Sequence, residues 1–304
     1  MTTPASNMMT ELMVITETID RLLLDYLPST EAEPKMLHEA MRYSVVAGGK
    51  RLRPILAMSA YEFAGGVATG DDPAIHHAMA ALEMVHTYSL IHDDLPCMDD
   101  DDLRRGQPTC HRKFGGDTDS ARKRGQAIAV LAGDALHVMA FDLMARTGSI
   151  EAVRLLAHAV GTQGMIGGQM ADMAAEGREV SRSEVENIHR RKTAALIQCS
   201  VLIGAILADA DDAMRARLSV YGENIGLAFQ IVDDILDIEG DQDLLGKRVG
   251  SDTRNKKATY PAVVGSEQAR ADVERLIDEA VAELGDDPHG KLTFIARYIR
   301  DRNR

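Results

Sequence analysis

The sequence contains no tryptophan, and aromatic residues make up only 4% of its 304 positions. Strands favour aromatic and β-branched residues, whereas this chain is rich in alanine, leucine, methionine and acidic residues, a composition that favours helices. At this length the chain can bury a sizeable core. It contains no low-complexity segment, no convincing linker and no short repeat. We therefore expect a single all-α domain over residues 1–304.

Cysteine is also scarce. The three thiols are Cys97, Cys110 and Cys199, and no two of them form a CxxC pair. An odd number without such spacing indicates neither a disulfide framework nor a zinc knuckle. Cys97, Cys110 and His111 could be imagined as metal ligands, but ordinary loop or buried thiols are the preferred interpretation.

Positive charge is in the minority, since 34 Lys and Arg residues against 47 Asp and Glu residues give a formal net charge of −13. This balance argues against a nucleic-acid surface and against adhesion to anionic membrane. The N-terminus lacks the basic-then-apolar pattern of a signal peptide, and no apolar run approaches the roughly 20 residues of a membrane span. We expect a cytoplasmic protein without membrane insertion. A polyphosphate-binding enzyme stays compatible with this charge, because metal ions and a few local cations can invert the field at a site.

Acidic residues are concentrated in the stretch SLIHDDLPCMDDDDLRRG, from Ser89 to Gly106. Carboxylates this dense repel one another, so a buried cluster requires a compensating cation. Mg²⁺ usually takes one or two carboxylates and completes its shell with water and substrate phosphate, and the adjacent Arg104 and Arg105 would suit phosphate as well. The alternative is a solvated acidic loop, which is what most charge runs are. The six aspartates of the stretch are Asp93, Asp94, Asp99, Asp100, Asp101 and Asp102.

The position of Pro96 decides how this stretch folds. Asp93 and Asp99 are six residues apart and would lie on different faces of an unbroken helix. Pro96 cannot donate to the carbonyl of His92 and should end or kink the helix there. We therefore predict that Asp99 lies on a loop that folds back towards Asp93. His86 lies two turns before Asp93 on nearly the same face, which raises the odds of a functional role, although a lone helical histidine is more often a packed or surface residue.

A second acidic cluster, Asp233, Asp234 and Asp237, lies in FQIVDDILD. Asp233 and Asp237 are four residues apart, so a helix would turn both the same way with Asp234 beside them. The apolar neighbours predict a core helix, where paired acids are costly unless a metal neutralises them. Two such clusters on apolar helices suggest a metal–diphosphate site.

A basic stretch, GGKRLRP, runs from Gly48 to Pro54 and contains Lys50, Arg51 and Arg53. A glycine loop, basic residues and a helix N-terminus together make a good anion site. A solvated basic turn explains this stretch equally well when it is taken alone.

Apolar periodicity predicts long helices through the rest of the chain. Glycines between residues 161 and 168 are expected to weaken or kink one of them. The predicted helices are 10–27, 32–46, 53–63, 71–94, 120–146, 150–173, 181–208 and 213–238, followed by two more amphipathic helices.

Five stretches together resemble one known family across nearly the whole chain. They are GGKRLRP, SLIHDDLPCMDDDDLRRG, RRKTAAL, FQIVDDILD, and GKRVGSD followed by KATYP. They stand in the order and spacing of the trans-isoprenyl diphosphate synthases, also called polyprenyl synthetases. A single DDxxD is a weak signal, whereas the five together are highly specific.

The resemblance implies the isoprenoid synthase fold, in which long helices surround a deep central cavity, usually in a homodimer. It implies head-to-tail condensation of isopentenyl diphosphate with an allylic diphosphate, assisted by three Mg²⁺ ions, with Mn²⁺ as a possible substitute. In this family the released diphosphate is thought to take the proton, so no protein base is expected.

Carried over position by position, the family pattern assigns roles to residues of both clusters and of the basic stretches. The proposed metal ligands are Asp93, Asp94, Asp99, Asp233, Asp234 and Asp237. The residues implied to hold the allylic diphosphate are Arg104, Lys192, Lys247 and Lys257. The residues implied to hold isopentenyl diphosphate, which binds without metal, are Lys50, Arg53, His86 and Arg105. The residues whose oxygens would face the developing cation are Thr193 and Gln230.

Product length is implied by the residues that precede the first cluster. Tyr88 and Ser89 lie five and four positions before Asp93, and with DDLPCMD this pairing looks most like the bacterial farnesyl diphosphate synthases. A C15 product is favoured, with a C20 geranylgeranyl product as the alternative. A terpene cyclase normally lacks the second cluster and GGKRLRP, and a non-catalytic subunit of a heteromeric synthase usually loses acidic motif residues, so this sequence argues against both.

Overall fold

A computed structural model of the chain describes residues 4–69, 73–239 and 259–302. These ranges are almost wholly helical, which confirms the all-α prediction. The elements, in chain order, are α1 (Pro4–Tyr26), α2 (Lys35–Val46), α3 (Leu52–Phe63), α4 (Ala74–Asp93), β1 (Leu103–Arg104), β2 (Gln107–Pro108), α5 (Cys110–Lys113), α6 (Asp119–Arg146), α7 (Ile150–Val160), α8 (Met165–Ala175), α9 (Arg182–His189), the π-helical segment π1 (Arg190–Ala194), α10 (Ala195–Leu207), α11 (Asp212–Glu239), α12 (Tyr260–Val264), α13 (Ser266–Leu284) and α14 (Lys291–Asp301).

The core is built around helices α4 and α10. Helix α4 packs against α3 and α6, and α10 packs against α3 and α11. Both helices are apolar on nearly every side, as expected of helices surrounded by other helices. Met79, Leu82 and Val85 of α4 are fully buried, and each such side chain contributes about 1.5–3 kcal/mol of transfer free energy. The first acidic cluster thus begins at the end of one of these core helices, and the second lies on α11, which packs against the other.

Helix α6 is long and apolar enough to span a membrane by length and composition alone. In the folded chain it packs against α4, α2 and α5 instead. Leu136, Leu143 and Met144 are fully buried in that contact. We therefore interpret α6 as a core helix. Asp134 and Asp142 interrupt its apolar sequence, in agreement with the absence of a long apolar run from the sequence.

The helix predicted over 150–173 is in fact two helices. Helix α7 ends at Val160, and Gly161 and Gly164 have non-helical backbone angles that turn the chain before α8 begins at Met165. The glycines thus break the helix rather than kink it.

The helix predicted over 181–208 contains a change of helical geometry. It begins with a capping box formed by Ser181 and Glu184, which satisfies two otherwise unpaired backbone donors. Residues Arg190–Ala194 then adopt a π-helical turn before α10 continues. Helix α8 lies so close to this turn that a side chain on Gly168 would stand 2.3 Å from the backbone nitrogen of Lys192. Such π-turns are rare and are often found at functional sites.

A two-residue hairpin follows the first acidic cluster, with Leu103 opposite Pro108 and Arg104 opposite Gln107. Its turn residues, Arg105 and Gly106, both have positive φ, which is the requirement of a type I′ hairpin turn. This tight turn places Arg104 and Arg105 on neighbouring positions beside the end of α4.

Candidate active site

A cavity of about 590 Å³ lies between α4, α8, π1 and α11. It brings together residues of both acidic clusters, of the basic stretches and of the segment before the first cluster. The predicted site residues that line it are Arg53, His86, Tyr88, Ser89, Asp93, Asp99, Arg104, Arg105, Lys192, Thr193, Gln230, Asp233 and Asp234.

The other predicted residues lie elsewhere. Asp94 and Asp237 are buried and do not line the cavity. Lys50 is exposed, but burial of its ammonium group and the nearby Arg302 lower its pKa against the opposing effect of the cavity residue Asp233. Lys50 therefore lies close to the cavity edge. Predicted residues Lys247 and Lys257 lie outside the described residues.

The first acidic cluster folds back on itself, as predicted from Pro96. Helix α4 ends at Asp93, and the backbone N–H of Asp99 then donates to the carbonyl of Asp93 over 2.8 Å. A second backbone bond, from Asp100 to the carbonyl of Leu95, closes the same turn. As a result Asp93 and Asp99 line one wall of the cavity together.

Asp94 is engaged by Arg104 rather than directed into the cavity. The guanidinium of Arg104 donates through Nε at 2.6 Å and lies 2.5 Å from Asp94 Oδ1 through Nη2. Burial raises the pKa of the Asp94 carboxyl to about 6, although Arg104 acts in the opposite direction. Two guanidinium nitrogens thus converge on one carboxylate oxygen, and this restricts the orientation of the Arg104 side chain. The second aspartate of the cluster thus holds Arg104 on the cavity wall.

In the second cluster, too, the second aspartate is bound by other groups of the protein. Asp234 accepts hydrogen bonds from His189 Nε2 at 2.9 Å, Gln230 Nε2 at 3.0 Å and the backbone N–H of Tyr260 at 2.8 Å. Burial would raise the pKa of Asp234, but His189 and the other donors lower it overall. Both carboxylate oxygens are therefore already bound by residues of α9, α11 and α12.

Asp233 and Asp237 differ more than their four-residue spacing suggested. The side chain of Asp233 is 36% exposed, lines the cavity and lies 3.1 Å from Arg302 Nη2. Asp237, one turn nearer the end of α11, is only 2% exposed and does not line the cavity. Four-residue spacing predicts that two side chains point to the same side of a helix. It does not predict how deeply each is buried, which depends on the residues that pack against each turn.

Thr193 and Gln230 form a polar pair next to Asp234. Thr193 Oγ1 donates to Gln230 Oε1 over 2.7 Å, and the Gln230 amide then donates to Asp234. This chain of bonds fixes the orientation of the Gln230 amide. The oxygens of Thr193 and Gln230 consequently lie side by side on the cavity wall.

Lys192 has a partner that the sequence analysis missed. Its ammonium group lies 2.5 Å from Asp172 Oδ2, and Asp172 projects from α8 into the same cavity. A sequence signal existed, because a lone aspartate on an apolar helix requires a partner when it is buried. The sequence analysis also missed Arg302 as a neighbour of Asp233.

The basic wall is formed by Arg53, His86 and Arg105. Arg53 is buried, and its Nε has no hydrogen-bond partner among the described residues. Burial lowers the pKa of Arg53 to about 10, so that it stays charged at neutral pH. Burial and the nearby arginines, Arg53 first, hold the pKa of His86 well below its usual range. A buried excess of cationic groups suits a polyanion such as a diphosphate.

The acidic donors fit a hard divalent cation. Asp93, Asp99 and Asp233 offer only oxygen atoms, which Mg²⁺ prefers and which also suit Mn²⁺. Across residues 4–69, 73–239 and 259–302, no three side chains of His, Cys, Asp or Glu are arranged to hold an ion without other ligands. This agrees with the ordinary behaviour of Mg²⁺, which takes few carboxylates and completes its shell with water and substrate phosphate.

Tyr88 lines the cavity together with several apolar residues. Its ring stacks on His137 with 4.3 Å between ring centroids and meets His92 edge-on at 5.8 Å. His137 does not itself line the cavity, and its other neighbour is the ring of Phe141 at 5.3 Å. The apolar residues that line the cavity are Leu90, Met98, Met165, Ile166, Met170, Met173, Ile188 and Phe229.

Comparison with known proteins agrees with this geometry. The polyprenyl synthetase family model matches residues 34–295. The chain is 46% identical to the farnesyl diphosphate synthase of Bacillus subtilis, with 83% of each chain covered. It is 44% identical to the large subunit 1 of the chloroplastic heterodimeric geranylgeranyl pyrophosphate synthase of Arabidopsis thaliana, over 89% of this chain and 73% of that one. The fold superposes on the crystal structure of an FPP/GFPP synthase from Zymomonas mobilis with a TM-score of 0.82 and 36% identity, over 97% and 99% of the two chains.

Proposed function

This chain belongs to the polyprenyl synthetase family, and we propose that it condenses isopentenyl diphosphate with dimethylallyl or geranyl diphosphate to give farnesyl diphosphate. The observation that carries the proposal is the composition of one cavity. Aspartates of both clusters, Lys192, three arginines, several apolar side chains and the ring of Tyr88 all line it. A reaction between two diphosphates with apolar tails uses all of these features.

The two diphosphates would be held by different groups. The allylic diphosphate would lie between the aspartates and the cations Arg104 and Lys192, which Asp94 and Asp172 orient. Lys247 and Lys257 belong to the same proposed group. Isopentenyl diphosphate would lie against Lys50, Arg53, His86 and Arg105. Separate pockets are needed because the two substrates must be bound together before the bond forms.

The metal would be held by aspartates of the two clusters, with Asp93, Asp99 and Asp233 facing the cavity. Bound Mg²⁺ would supply charge stabilisation for the departing diphosphate, because breaking the allylic C–O bond leaves negative charge there. Arg104 and Lys192 add donors to the same group. Three ions are expected from the family resemblance.

The allylic carbon becomes cationic when the C–O bond breaks. The oxygens of Thr193 and Gln230 lie together on the cavity wall and would stabilise this charge. The terminal double bond of isopentenyl diphosphate then attacks the cation, and the proton lost from the new chain passes to the released diphosphate. No protein base is assigned.

We further propose a cytoplasmic homodimer. The outer face of α6 leaves Leu131 and Val138 58% and 71% exposed, and a second copy of the chain would cover such an apolar stripe. The acidic net charge gives no surface for nucleic acid. Size-exclusion chromatography with light scattering measures the oligomeric state, and a monomer would contradict this part of the proposal.

A geranylgeranyl product is the second candidate, because one relative at 44% identity makes that C20 product as part of a heterodimer. Product analysis decides between them. The purified protein is incubated with Mg²⁺, labelled isopentenyl diphosphate and, separately, each allylic primer, and the products are separated by chromatography. A C15 product supports the proposal, a C20 product retains the reaction and changes the product, and no condensation with any primer points to a non-catalytic subunit.

A further inference from the structure

One basic residue of GGKRLRP is buried away from the cavity. Arg51 lies between Lys50 and Arg53, but its side chain is only 3% exposed and is turned into the protein. Its backbone has the left-handed conformation, with φ 48° and ψ 32°, directly before α3. This conformation is unfavourable for a residue with a side chain, so the surrounding contacts must maintain it.

Three hydrogen bonds hold the Arg51 guanidinium, and each goes to a different helix. Nε donates to Asp20 Oδ1 of α1 at 2.9 Å, Nη1 to Glu83 Oε1 of α4 at 2.8 Å, and Nη2 to the carbonyl of Val45 of α2 at 2.9 Å. The planar guanidinium can do this because its donors point in fixed directions. Arg51 therefore fixes the loop before α3 relative to three helices at once.

Glu83, the partner on α4, lies directly behind the basic wall. Its side chain is 2% exposed and it precedes His86 by three residues, which is about one helical turn. Its second oxygen has no hydrogen-bond partner among the described side chains and backbone groups. Its charge opposes the effect of burial on Arg53 and Arg105 and so helps to keep both protonated.

The loop also contacts the basic wall through Gly49. A side-chain carbon on Gly49 would lie 2.7 Å from both terminal nitrogens of Arg105, so the Gly49 backbone packs directly against that guanidinium. A shift of the loop would therefore displace Arg105 as well as Arg53.

We infer that Arg51 is a positioning residue for the isopentenyl diphosphate pocket, acting through its buried bond to Glu83. It touches no substrate. It holds the loop from Gly48 to Leu52 so that Arg53 and Arg105 converge on one diphosphate. The inference rests on the proposed function, which assigns those two arginines to isopentenyl diphosphate.

The test measures binding of isopentenyl diphosphate to the full chain by calorimetry in EDTA, so that neither metal nor turnover is involved. Arg51→Met removes all three hydrogen bonds. Arg51→Lys keeps the positive charge but loses the planar guanidinium that donates in three fixed directions. Arg42→Met is the matched control, because the guanidinium of Arg42 also donates three hydrogen bonds within the protein but lies away from the cavity. Its acceptors are the carbonyls of Leu24, Leu27 and Pro28. Thermal melting accompanies each titration.

We expect Arg51→Met and Arg51→Lys to weaken binding about 10-fold or more, since a displacement of the order of 1 Å loosens a multidentate site. Arg42→Met should lower the melting temperature but leave the Kd within about 2-fold. If both Arg51 variants fail to fold, Gly49→Ala, at an exposed position, disturbs the same contact with Arg105 and should weaken binding similarly.

Wild-type affinity in Arg51→Met, or in Gly49→Ala where that variant is needed, would overturn the inference. Full affinity in Arg51→Lys would also overturn it, because charge and not positioning would then be sufficient. A wild-type protein that does not bind isopentenyl diphosphate in EDTA would overturn it as well. A protein that binds in EDTA but forms no product with Mg²⁺ and an allylic primer would refute only the proposed function.

Discussion

Replacing Tyr88 by alanine should lengthen the product by one isoprenyl unit. Tyr88 lines the cavity, and its ring stacks at 4.3 Å on His137, which does not reach the cavity. Removing the ring opens the space it fills and exposes His137 as the next surface. Since His137 packs in turn on Phe141, the cavity should close again after one added unit rather than stay open.

The magnitude follows from the apolar surface of the growing chain. One isoprenyl unit brings roughly five carbon groups, which at about 0.8 kcal/mol per buried CH₂ is about 4 kcal/mol of transfer free energy. The added isoprenyl unit cannot be buried while the Tyr88 ring occupies the space. In Tyr88→Ala it can, and the transfer free energy is then gained. It corresponds to a preference of about 1000-fold for continued elongation, enough to convert most of the C15 product to C20. Some of this gain is lost in ordering the longer chain.

Product chromatography after incubation with Mg²⁺, isopentenyl diphosphate and geranyl diphosphate measures the effect. Tyr88→Phe is the matched control. It removes only a buried hydroxyl that has no hydrogen-bond partner among the described residues, so the product should remain C15 and stability should rise slightly. The double variant Tyr88→Ala, His137→Ala should extend the product beyond C20. An unchanged C15 product from Tyr88→Ala would show that other residues form the floor.

Three further predictions concern charge in the site. Asp93→Ala or Asp233→Ala should lower kcat by orders of magnitude with an unchanged helical circular-dichroism spectrum, and near-wild-type kcat would contradict the metal assignment. Asp172→Asn should weaken the orientation of Lys192 and lower kcat/KM for the allylic diphosphate about 10-fold, with the KM for isopentenyl diphosphate unchanged; an equal change in both would contradict this reasoning. Burial and the nearby arginines hold the folded pKa of His86 below its unfolded value, so the unfolded chain binds more protons and stability should fall from pH 7 to pH 5.5. Urea unfolding should show that His86→Gln lacks this part of the pH dependence.

The positions of the helices were largely predictable, because apolar periodicity and proline have direct local consequences. Pro96 is the best example, since the loss of one backbone donor both ended α4 and brought Asp99 back to Asp93. The break at Gly161 and the π-turn at Arg190–Ala194 were not predictable in the same way. Apolar periodicity shows which side of a helix is apolar. It does not show where a short turn interrupts a helix or where a π-turn widens it by one residue.

The partners of the site residues could not be predicted, because they come from distant segments. Spacing places Asp94 beside Asp93, but it does not reveal that Arg104 returns on a hairpin to bind it. Arg51 is a similar case. Three basic residues within four positions look equivalent, and which one turns inward depends on a left-handed backbone angle and on a carboxylate from α4.

The two acidic clusters share one arrangement, and this arrangement explains how they persist without ligand. In each cluster the first aspartate faces the cavity, and the second is bound by a side chain from another segment, Arg104 for Asp94 and His189 for Asp234. A pair of adjacent carboxylates facing one cavity would repel strongly. Pairing the second carboxylate with Arg104 or His189 offsets part of that repulsion and uses the buried carboxylate to fix a neighbour. The aspartates that remain in the cavity are then few enough for the fold to tolerate, yet sufficient for ions whose other ligands are water and diphosphate.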